Sequence, residues 1–162
     1  MGSLRIGIVT CSDTRSTGEA EDTAGPALQE AAEALGWQVV AYRIVPDDTD
    51  AIRAAIIAMA DDDRADVVLT TGGTGFSGRD VTPEATMLAC DREAPGIAEA
   101  IRSQSMAVTR RAMLSRGVAA LRGSTLVVNF PGSRKGALES FGFVSDQLEH
   151  GVDMMAGEGH PK

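Results

Sequence analysis

Short apolar runs alternate with segments of helical periodicity along this chain, and this alternation limits its fold more than any other feature. The apolar runs predict strands at 4–10, 38–45, 67–71 and 124–129. Helical periodicity and capping residues predict helices at 23–35, from 49 onward, and at 83–90, 95–106, 134–143 and 144–155. Elements in this order predict an α/β fold, a three-layer sandwich with a mostly parallel sheet and helices on both faces.

The segment 107–123 is the least regular part of the sequence. Two short antiparallel strands, 112–116 and 117–121, are expected there, and they would give the sheet a short antiparallel edge. No repeat, low-complexity tract or linker divides the chain, so residues 1–162 are predicted to form a single domain. The tail from Gly157 is predicted to fray.

The composition argues against several classes of partner and site. The formal net charge is −8 and aromatic residues make up 4%, which disfavours nucleic-acid binding because that requires a basic face and stacking side chains. No apolar run is long enough to span a bilayer and no signal segment is evident, so a cytoplasmic protein without a membrane partner is predicted. Cys11 and Cys90 lack the spacing of a zinc site and are expected to be reduced, packed thiols.

A glycine-rich loop follows the predicted strand 67–71 and leads into the helix 83–90. It contains Gly72, Gly73, Gly75 and Gly78 together with the hydroxyls of Thr71, Thr74 and Ser77. Glycines let successive N–H groups face one anion and let phosphate come close, so the loop is predicted to bind phosphate. Asp80 follows, and a carboxylate beside phosphate favours either a Mg²⁺ ion between them or a proton-handling role. Thr82 is the predicted N-cap of the helix, with Pro83 at its first position.

Polar residues follow the other predicted strands as well. Ser12 and Asp13 follow the first strand, Asp47 and Asp48 follow the second, and the polar run 129–135 begins at the end of the last. Ligands of parallel sheets bind outside the carboxyl ends of the strands. These segments are therefore expected to converge with the glycine loop on one site.

Each of these segments also has a purely structural interpretation. One of Asp47 and Asp48 is expected to cap the second helix, and Asp13 is explained equally well by an Asx turn. The run 129–132 fits a simple turn, although a helix start follows it at 133–135, where anions bind readily.

The motifs of this chain give it a family resemblance. The runs Thr-Thr-Gly-Gly-Thr-Gly at 70–75 and Arg-Asp-Val-Thr-Pro-Glu-Ala-Thr at 79–86 are similar to the hallmark of the MogA/MoaB family of molybdenum-cofactor biosynthesis, and so is Asn-Phe-Pro-Gly-Ser at 129–133. Shorter matches are Ser12-Asp13, Pro46-Asp47 and Ser115-Arg116-Gly117. Thr14 and Arg134 depart from the pattern, since many relatives have arginine and proline there.

The resemblance implies a molybdopterin adenylyltransferase, which transfers AMP from Mg²⁺-ATP to the terminal phosphate of molybdopterin and releases pyrophosphate. It implies that Asp47 and Asp80 are the catalytic carboxylates, coordinating Mg²⁺ and positioning the attacking phosphate. Ser115 and Arg116 would help to hold the pterin phosphate, to which an arginine can donate two hydrogen bonds. The other implied nucleotide- and pterin-binding residues are Ser12, Asp13, Thr71, Gly72, Gly73, Thr74, Gly75, Asn129, Pro131, Gly132 and Ser133.

The family leaves one alternative, a MoaB-type paralogue that binds the pterin with little or no transferase turnover. Retention of both Asp47 and Asp80 favours the enzyme, because a binding protein gains nothing from like charges near a phosphate. A dinucleotide-dependent oxidoreductase is disfavoured, since the glycine spacing is not GxGxxG and the loop follows the third strand. The resemblance also implies a homo-oligomer, with a trimer favoured over a hexamer.

Overall fold

Six strands form one sheet in the part of the chain that the structure, a computed structural model, describes, residues 3–157. The strands are β1 (Arg5–Cys11), β2 (Gln38–Val45), β3 (Val67–Thr71), β4 (Arg92–Glu93), β5 (Ala119–Arg122) and β6 (Thr125–Phe130). The helices are α1 (Asp13–Ser16), α2 (Ala24–Ala34), α3 (Thr49–Asp61), α4 (Thr82–Ala89), α5 (Pro95–Ser105) and α6 (Arg134–Met155), and a 3₁₀ helix spans Arg110–Leu114. The frayed tail predicted beyond Gly157 lies outside the described residues.

The order of strands in the sheet indicates where a ligand is expected to bind. The order is β2-β1-β3-β6-β5-β4, in which β2, β1, β3 and β6 run parallel and β5 and β4 form an antiparallel edge. The chain moves from β1 outward to β2 and then crosses to β3 on the opposite side of β1. The direction of winding therefore reverses between β1 and β3, and open α/β sheets bind ligands at the carboxyl ends beside such a reversal.

Helices cover both faces of the sheet, and the predicted α/β three-layer class is confirmed. α2, α5 and α6 pack on one face around a core that includes Leu28 and Phe141. α3 and α4 pack on the other face around a core that includes Ile56. Consecutive residues of β1 pack into different cores: Ile8 belongs to the first core, under α2, α5 and α6, and Val9 belongs to the second, under α3 and α4. This alternation is expected for a strand buried on both sides. Among residues 3–157 no helix combines the length and apolarity that crossing a bilayer requires.

The predicted strand at 112–116 is wrong, because the 3₁₀ helix occupies this segment. The hydroxyl of Thr109 accepts a hydrogen bond from the amide of Arg111 at 3.3 Å, a local cap that favours a helical turn. The next strand, predicted at 117–121, begins at Ala119 and ends at Arg122. The antiparallel edge is confirmed, but its outer strand is the two-residue β4, which the sequence pattern did not predict.

The predicted break between two final helices at 143 and 144 is also wrong, because α6 continues without interruption to Met155. Its buried residues Ala137, Phe141, Val144 and Leu148 recur every three or four positions and form one apolar stripe. Gly142 lowers the helix propensity at the middle of this segment. The apolar stripe continues on both sides of the glycine, so packing against the sheet keeps the helix intact.

Phe141 gives a test of the first core. Its ring makes edge-to-face contacts with Trp37 and Phe130, with ring centroids 5.9 and 6.3 Å apart. We expect Phe141→Ala to lower the free energy of unfolding by about 3–5 kcal/mol, because it removes buried apolar area and leaves a cavity. Leu88→Ala is the control, since that side chain is 59% exposed on α4. Urea denaturation measures both variants, and equal destabilisation would contradict this core.

Candidate active site

The glycine loop, residues 72–81, leaves β3 through two residues in the left-handed backbone region. Gly72 has a φ of 96° and Gly73 a φ of 71°, values that residues with a side chain rarely adopt. Thr82 fixes this turn, since its hydroxyl donates to the Gly72 carbonyl at 2.9 Å and its amide donates to the Gly73 carbonyl at 3.1 Å. A side chain at Gly73 would collide with that hydroxyl.

The prediction that Thr82 caps α4 is wrong. Val81 holds the cap position and Thr82 is the first helical residue, with its hydroxyl turned back to the glycine loop. Pro83 does lie in the first turn of the helix, where its missing N–H has no cost. The threonine therefore orders the loop rather than the helix end.

Three consecutive N–H groups of the loop are available to a ligand. The amides of Gly73, Thr74 and Gly75 donate to no acceptor within residues 3–157, whereas the amide of Gly72 donates to the Phe130 carbonyl at 3.1 Å. Thr74 is only 7% exposed, and a buried N–H group without an acceptor is unfavourable. A run of such amides in a glycine-rich turn has the geometry of an anion-binding concavity.

The start of the loop is fixed to the segment that follows β6. The Thr71 hydroxyl donates to the Pro131 carbonyl at 2.7 Å. At Gly132 the two segments lie so close that a Cβ would be 3.2 Å from the Gly72 Cα. Thr71, Pro131 and Gly132 thus set the position of the glycine loop relative to β6.

The carboxyl ends of β1 and β2 are joined by two reciprocal hydrogen bonds. The Asp13 amide donates to Asp47 Oδ2 and the Asp47 amide donates to Asp13 Oδ1, each at 3.0 Å. The Ser12 amide adds a bond to the Val45 carbonyl at 2.9 Å, and the Ser12 hydroxyl caps α1. Asp48 is the residue that caps α3. Asp47 is therefore left to face the loop.

Arg79 connects the glycine loop to this pair of carboxylates. Its Nε and Nη2 donate to the two oxygens of Asp13, each at 3.0 Å. These hydrogen bonds are the main reason that the pKa of Asp13 is lowered. The Arg79 side chain is 66% exposed, so the ion pair lies at the surface, where salt weakens it.

Asp47, which follows β2, and Asp80, which belongs to the glycine loop, both lie close to the glycines of the loop. A Cβ at Gly73 would lie 3.2 Å from Asp47 Oδ1, and a Cβ at Gly75 would lie 2.8 Å from Asp80 Oδ2. The pKa of Asp47 is raised, first by burial and then by the negative charges of Asp13 and Asp80. Two carboxylates are thus brought beside the run of available amides.

Asp47 has the properties of a cation ligand. Its Oδ1 is buried and accepts no hydrogen bond from any residue that the structure describes, an arrangement that costs free energy unless a cation or donor compensates. Residues 3–157 contain no cluster of three or more His, Cys, Asp or Glu side chains suited to a metal ion. Mg²⁺ commonly takes only one or two carboxylates and completes its shell with phosphate oxygens and water. Asp47 and Asp80 fit that donor set.

Cys11 lies directly against the loop, because its carbonyl oxygen is the first atom that a side chain at Gly72 would meet. The Cys11 thiol is 2% exposed, and burial raises its pKa to about 12. Cys11 and Cys90 are both free thiols, as the sequence predicted.

A cavity of about 440 Å³ borders the glycine loop, α5, the 3₁₀ helix and the start of α6. Five predicted site residues line it: Thr74, Gly75, Ser115, Pro131 and Ser133. Its remaining wall combines apolar side chains such as Ile101 and Leu114 with the hydroxyls of Ser105 and Ser140. This size and this mixture of groups are typical of sites for small organic molecules.

Asn129 and Arg116 are among the predicted site residues that do not line this cavity. Asn129 is 4% exposed, and its amide nitrogen donates to the hydroxyls of Thr70 and Thr86 at 2.9 and 3.0 Å. Its Oδ1 accepts from the Val118 amide at 3.1 Å. Asn129 therefore fixes β6 relative to β3 and α4 and supports the site from within the core. Arg116 turns its guanidinium towards the glycine loop.

Apart from Phe76 in the glycine loop, the cavity residues that sequence reasoning missed come from α5, from α6, and from the 3₁₀ helix and its cap. Arg102, Ser105, Thr109, Arg111, Glu139 and Ser140 are examples. Ser105 follows Ile101 by four positions, so the two lie on one face of α5. The sequence signal on that helix was a hydroxyl, that of Ser105, at a position of the apolar face, and it could have indicated a cavity residue. The 3₁₀ segment has no comparable periodicity.

Comparisons with known proteins give a consistent result. Residues 7–150 match the model of a family described as a probable molybdopterin-binding domain. A molybdopterin adenylyltransferase of Helicobacter pylori strain J99 is 38% identical over 159 residues, 97% of this chain and 90% of that protein. The molybdenum cofactor synthesis protein cinnamon of Drosophila melanogaster is 39% identical over 98% of this chain, which spans only 26% of that protein. The crystal structure of the molybdopterin biosynthesis enzyme MoaB from Thermus thermophilus has a TM-score of 0.89 at 44% identity, covering 95% of this chain and 97% of that chain.

Gly73 gives a test of the loop geometry. We expect Gly73→Ala to lower the free energy of unfolding by at least about 1–2 kcal/mol, because its φ is left-handed and the new Cβ meets the Thr82 hydroxyl. Hydrogen exchange at the Thr82 amide should become faster in this variant. Gly78→Ala is the matched control, since its φ is not left-handed and nothing lies within 4 Å of its Cβ position. Similar stability and exchange in the two variants would contradict the described turn.

Proposed function

Because this chain belongs to the family of probable molybdopterin-binding domains, we propose that it is a molybdopterin adenylyltransferase. The reaction joins the AMP of ATP to the terminal phosphate of molybdopterin and releases pyrophosphate. The Helicobacter pylori relative of that name supports the proposal, since it matches almost the whole of both chains. Nucleotide and pterin are then the two substrates.

The observation that supports this function most directly is that groups suited to an anion and a group suited to a cation lie together at the glycine loop. The amides of Gly73, Thr74 and Gly75 suit phosphate oxygens. Asp47 Oδ1, which faces the same loop, suits a cation. Negative side chains beside phosphate are favourable only with a cation between them. Mg²⁺-ATP supplies both the phosphates and the cation.

In this proposal the nucleotide lies at the crevice between β1 and β3. The backbone of Gly72 to Gly75 holds its phosphates, and Ser12 and Asp13 border it from the end of β1. Asp47 and Asp80 would hold Mg²⁺, which when bound neutralises charge on the phosphates. The protein itself contributes alignment, because adenylyl transfer requires the attacking oxygen and the leaving pyrophosphate to lie in line at the α-phosphorus.

The pterin lies in the cavity in this proposal, near the hydroxyls of Ser115 and Ser133. Thr74 and Gly75 line the cavity and also belong to the run of available amides, so the two substrates would meet at these residues. Arg111 lines the cavity and takes part in none of the ion pairs of residues 3–157. Its guanidinium is suited to the pterin phosphate.

Removing either carboxylate tests the catalytic role. We expect Asp80→Asn and Asp47→Asn each to lower AMP transfer by roughly 100-fold or more, because the amide keeps the shape but loses the charge that positions the cation. The measurement is pyrophosphate release from ATP and molybdopterin with Mg²⁺. Pterin binding, measured by calorimetry, should survive in both variants because the cavity is unchanged.

Asp48→Asn is the matched control for these variants. Asp48 is the neighbouring carboxylate, and its oxygen accepts the Ala51 amide at 2.9 Å to cap α3. Asparagine caps helices about as well as aspartate, so this variant loses the same charge without loss of turnover or stability. Unchanged turnover in Asp80→Asn would exclude the catalytic role of Asp80, whereas a wild-type protein that binds the pterin without turnover would favour the pterin-binding alternative.

We also propose that the chain works in the cytoplasm as a homo-oligomer, with a trimer favoured over a hexamer. The edge strand β2 supports association, since it has no partner on its outer side among residues 3–157 and its Tyr42 and Ile44 side chains are 36% and 37% exposed. Sedimentation at micromolar concentration should give three times the mass of the chain. A monomeric mass under those conditions would contradict the assembly.

A further inference from the structure

Arg116 uses every nitrogen of its side chain on the glycine loop and on α4. Its Nε donates to the Gly75 carbonyl at 2.8 Å, and its Nη2 donates to the Asp80 carbonyl at 2.7 Å. Its Nη1 donates to both carboxylate oxygens of Glu84, each at 2.9 Å. These bonds lower the pKa of Glu84 and raise the pKa of Arg116. Little hydrogen-bonding capacity remains for a ligand phosphate.

The two carbonyls that Arg116 contacts mark the base of an exposed excursion of the loop. Residues 76–79, which lie between Gly75 and Asp80, are all exposed. Arg116 joins the two ends of this excursion, and its own amide donates to the Thr74 carbonyl at 2.8 Å. Arg116 therefore sets the position of Asp80 relative to the amides at 73–75 together with Thr82, which holds the start of the loop.

Arg116 is itself held in place by the rest of the fold. The Arg102 guanidinium on α5 donates to the Gly117 carbonyl at 2.6 Å and to the Ser115 carbonyl at 3.4 Å. The Gly117 amide donates to the Ser115 hydroxyl at 3.2 Å. The backbone on both sides of Arg116 is thus fixed to α5, which makes it a firm point of attachment for the exposed part of the loop.

We propose that Arg116 is a positioning residue, which holds the glycine loop and Asp80 in the geometry for adenylyl transfer instead of binding the pterin phosphate. This role rests on the proposed function. Asp80 carries the same charge as Asp47, so without an attachment their repulsion would move the loop end outward. Small displacements of aligned groups reduce turnover strongly in reactions that depend on alignment.

Two variants separate the positioning role from phosphate binding. Arg116→Lys keeps the positive charge but cannot reach three acceptors with one ammonium group. Glu84→Gln weakens the hold on Arg116 and makes only Nη1 available to a ligand, because Nε and Nη2 still donate to the loop carbonyls. If Arg116 positions the loop, both variants should lower kcat by about tenfold or more, with the KM for molybdopterin changed by less than about threefold. If Arg116 binds phosphate, Glu84→Gln should keep full kcat and Arg116→Lys should raise the KM.

Hydrogen exchange gives a readout that does not require activity. The Ser77 amide donates to Asp80 Oδ2 and the Asp80 amide donates to the Ser77 carbonyl, so exchange at both should be faster in the two variants. An inactive wild-type protein would refute the proposed function, while faster exchange would still support the hold of Arg116 on the loop. Unchanged exchange in both variants would overturn the positioning role even if the wild type is active.

Asp61→Asn is the matched control. Asp61 accepts from Arg122 at 3.1 and 2.6 Å, and Arg122 also donates to the Ala89 carbonyl at the end of α4. The control thus breaks an arginine–carboxylate pair attached to the other end of the same helix. It should change neither kcat nor exchange at Ser77 and Asp80. Equal losses in Asp61→Asn and Glu84→Gln would show a general loosening of α4 and would overturn the assignment to Arg116.

Discussion

The turn by which the chain leaves β3 determines most of what this site can do. Gly72 and Gly73 adopt left-handed backbone angles, and Thr82 holds both of their carbonyls. Because those carbonyls are directed towards α4, the following amides are left without acceptors among the described residues. The same turn brings Gly73 next to Asp47. A single local geometry therefore leaves amides without acceptors next to a buried carboxylate oxygen without a donor, among the residues that the structure describes.

The topology of the sheet explains why this local geometry meets other groups. The winding reverses between β1 and β3, so the loop after β3 lies beside Asp13 at the end of β1. Asp13 in turn holds Asp47 at the end of β2 through their paired hydrogen bonds. The cavity on α5 and α6 shares Thr74 and Gly75 with the loop. In the proposed function, neighbouring groups from distant parts of the chain would bind the phosphates, the cation and the pterin.

The sequence predicted the parallel part of the fold well, because apolar strands and capped helices have strong local signals. The motifs also predicted the family, which the comparisons confirm. The sequence could not predict the 3₁₀ helix, because that helix depends on a single threonine cap and on packing beside α5. The break within α6 was predicted wrongly because Gly142 lies in the middle of a helix that tertiary packing sustains.

For the site, too, features with a local sequence signal were predicted, and features that depend on distant contacts were not. Glycine spacing indicated an anion-binding loop, and strand-end positions indicated that Asp13 and Asp47 would converge with it. The orientation of long or amide side chains could not be predicted, because it depends on partners distant in sequence. The Asn129 amide nitrogen donates hydrogen bonds to the buried hydroxyls of Thr70 and Thr86. The Arg116 guanidinium donates to carbonyls about forty positions away in sequence. Thr82 was assigned to the helix end because its competing acceptor, the Gly72 carbonyl, becomes available only in the folded loop.

Burial of Cys11 has a chemical consequence for the durability of the loop. Peroxides and other oxidants attack the thiolate form of cysteine, and a pKa of about 12 leaves almost none of it at neutral pH. Cys11 is 2% exposed, so a sulfenic oxygen on its sulfur would need space inside the core that also includes Ile52 and Val68. The packing that stabilises the end of β1 therefore also protects from oxidation a residue whose backbone lies against the glycine loop.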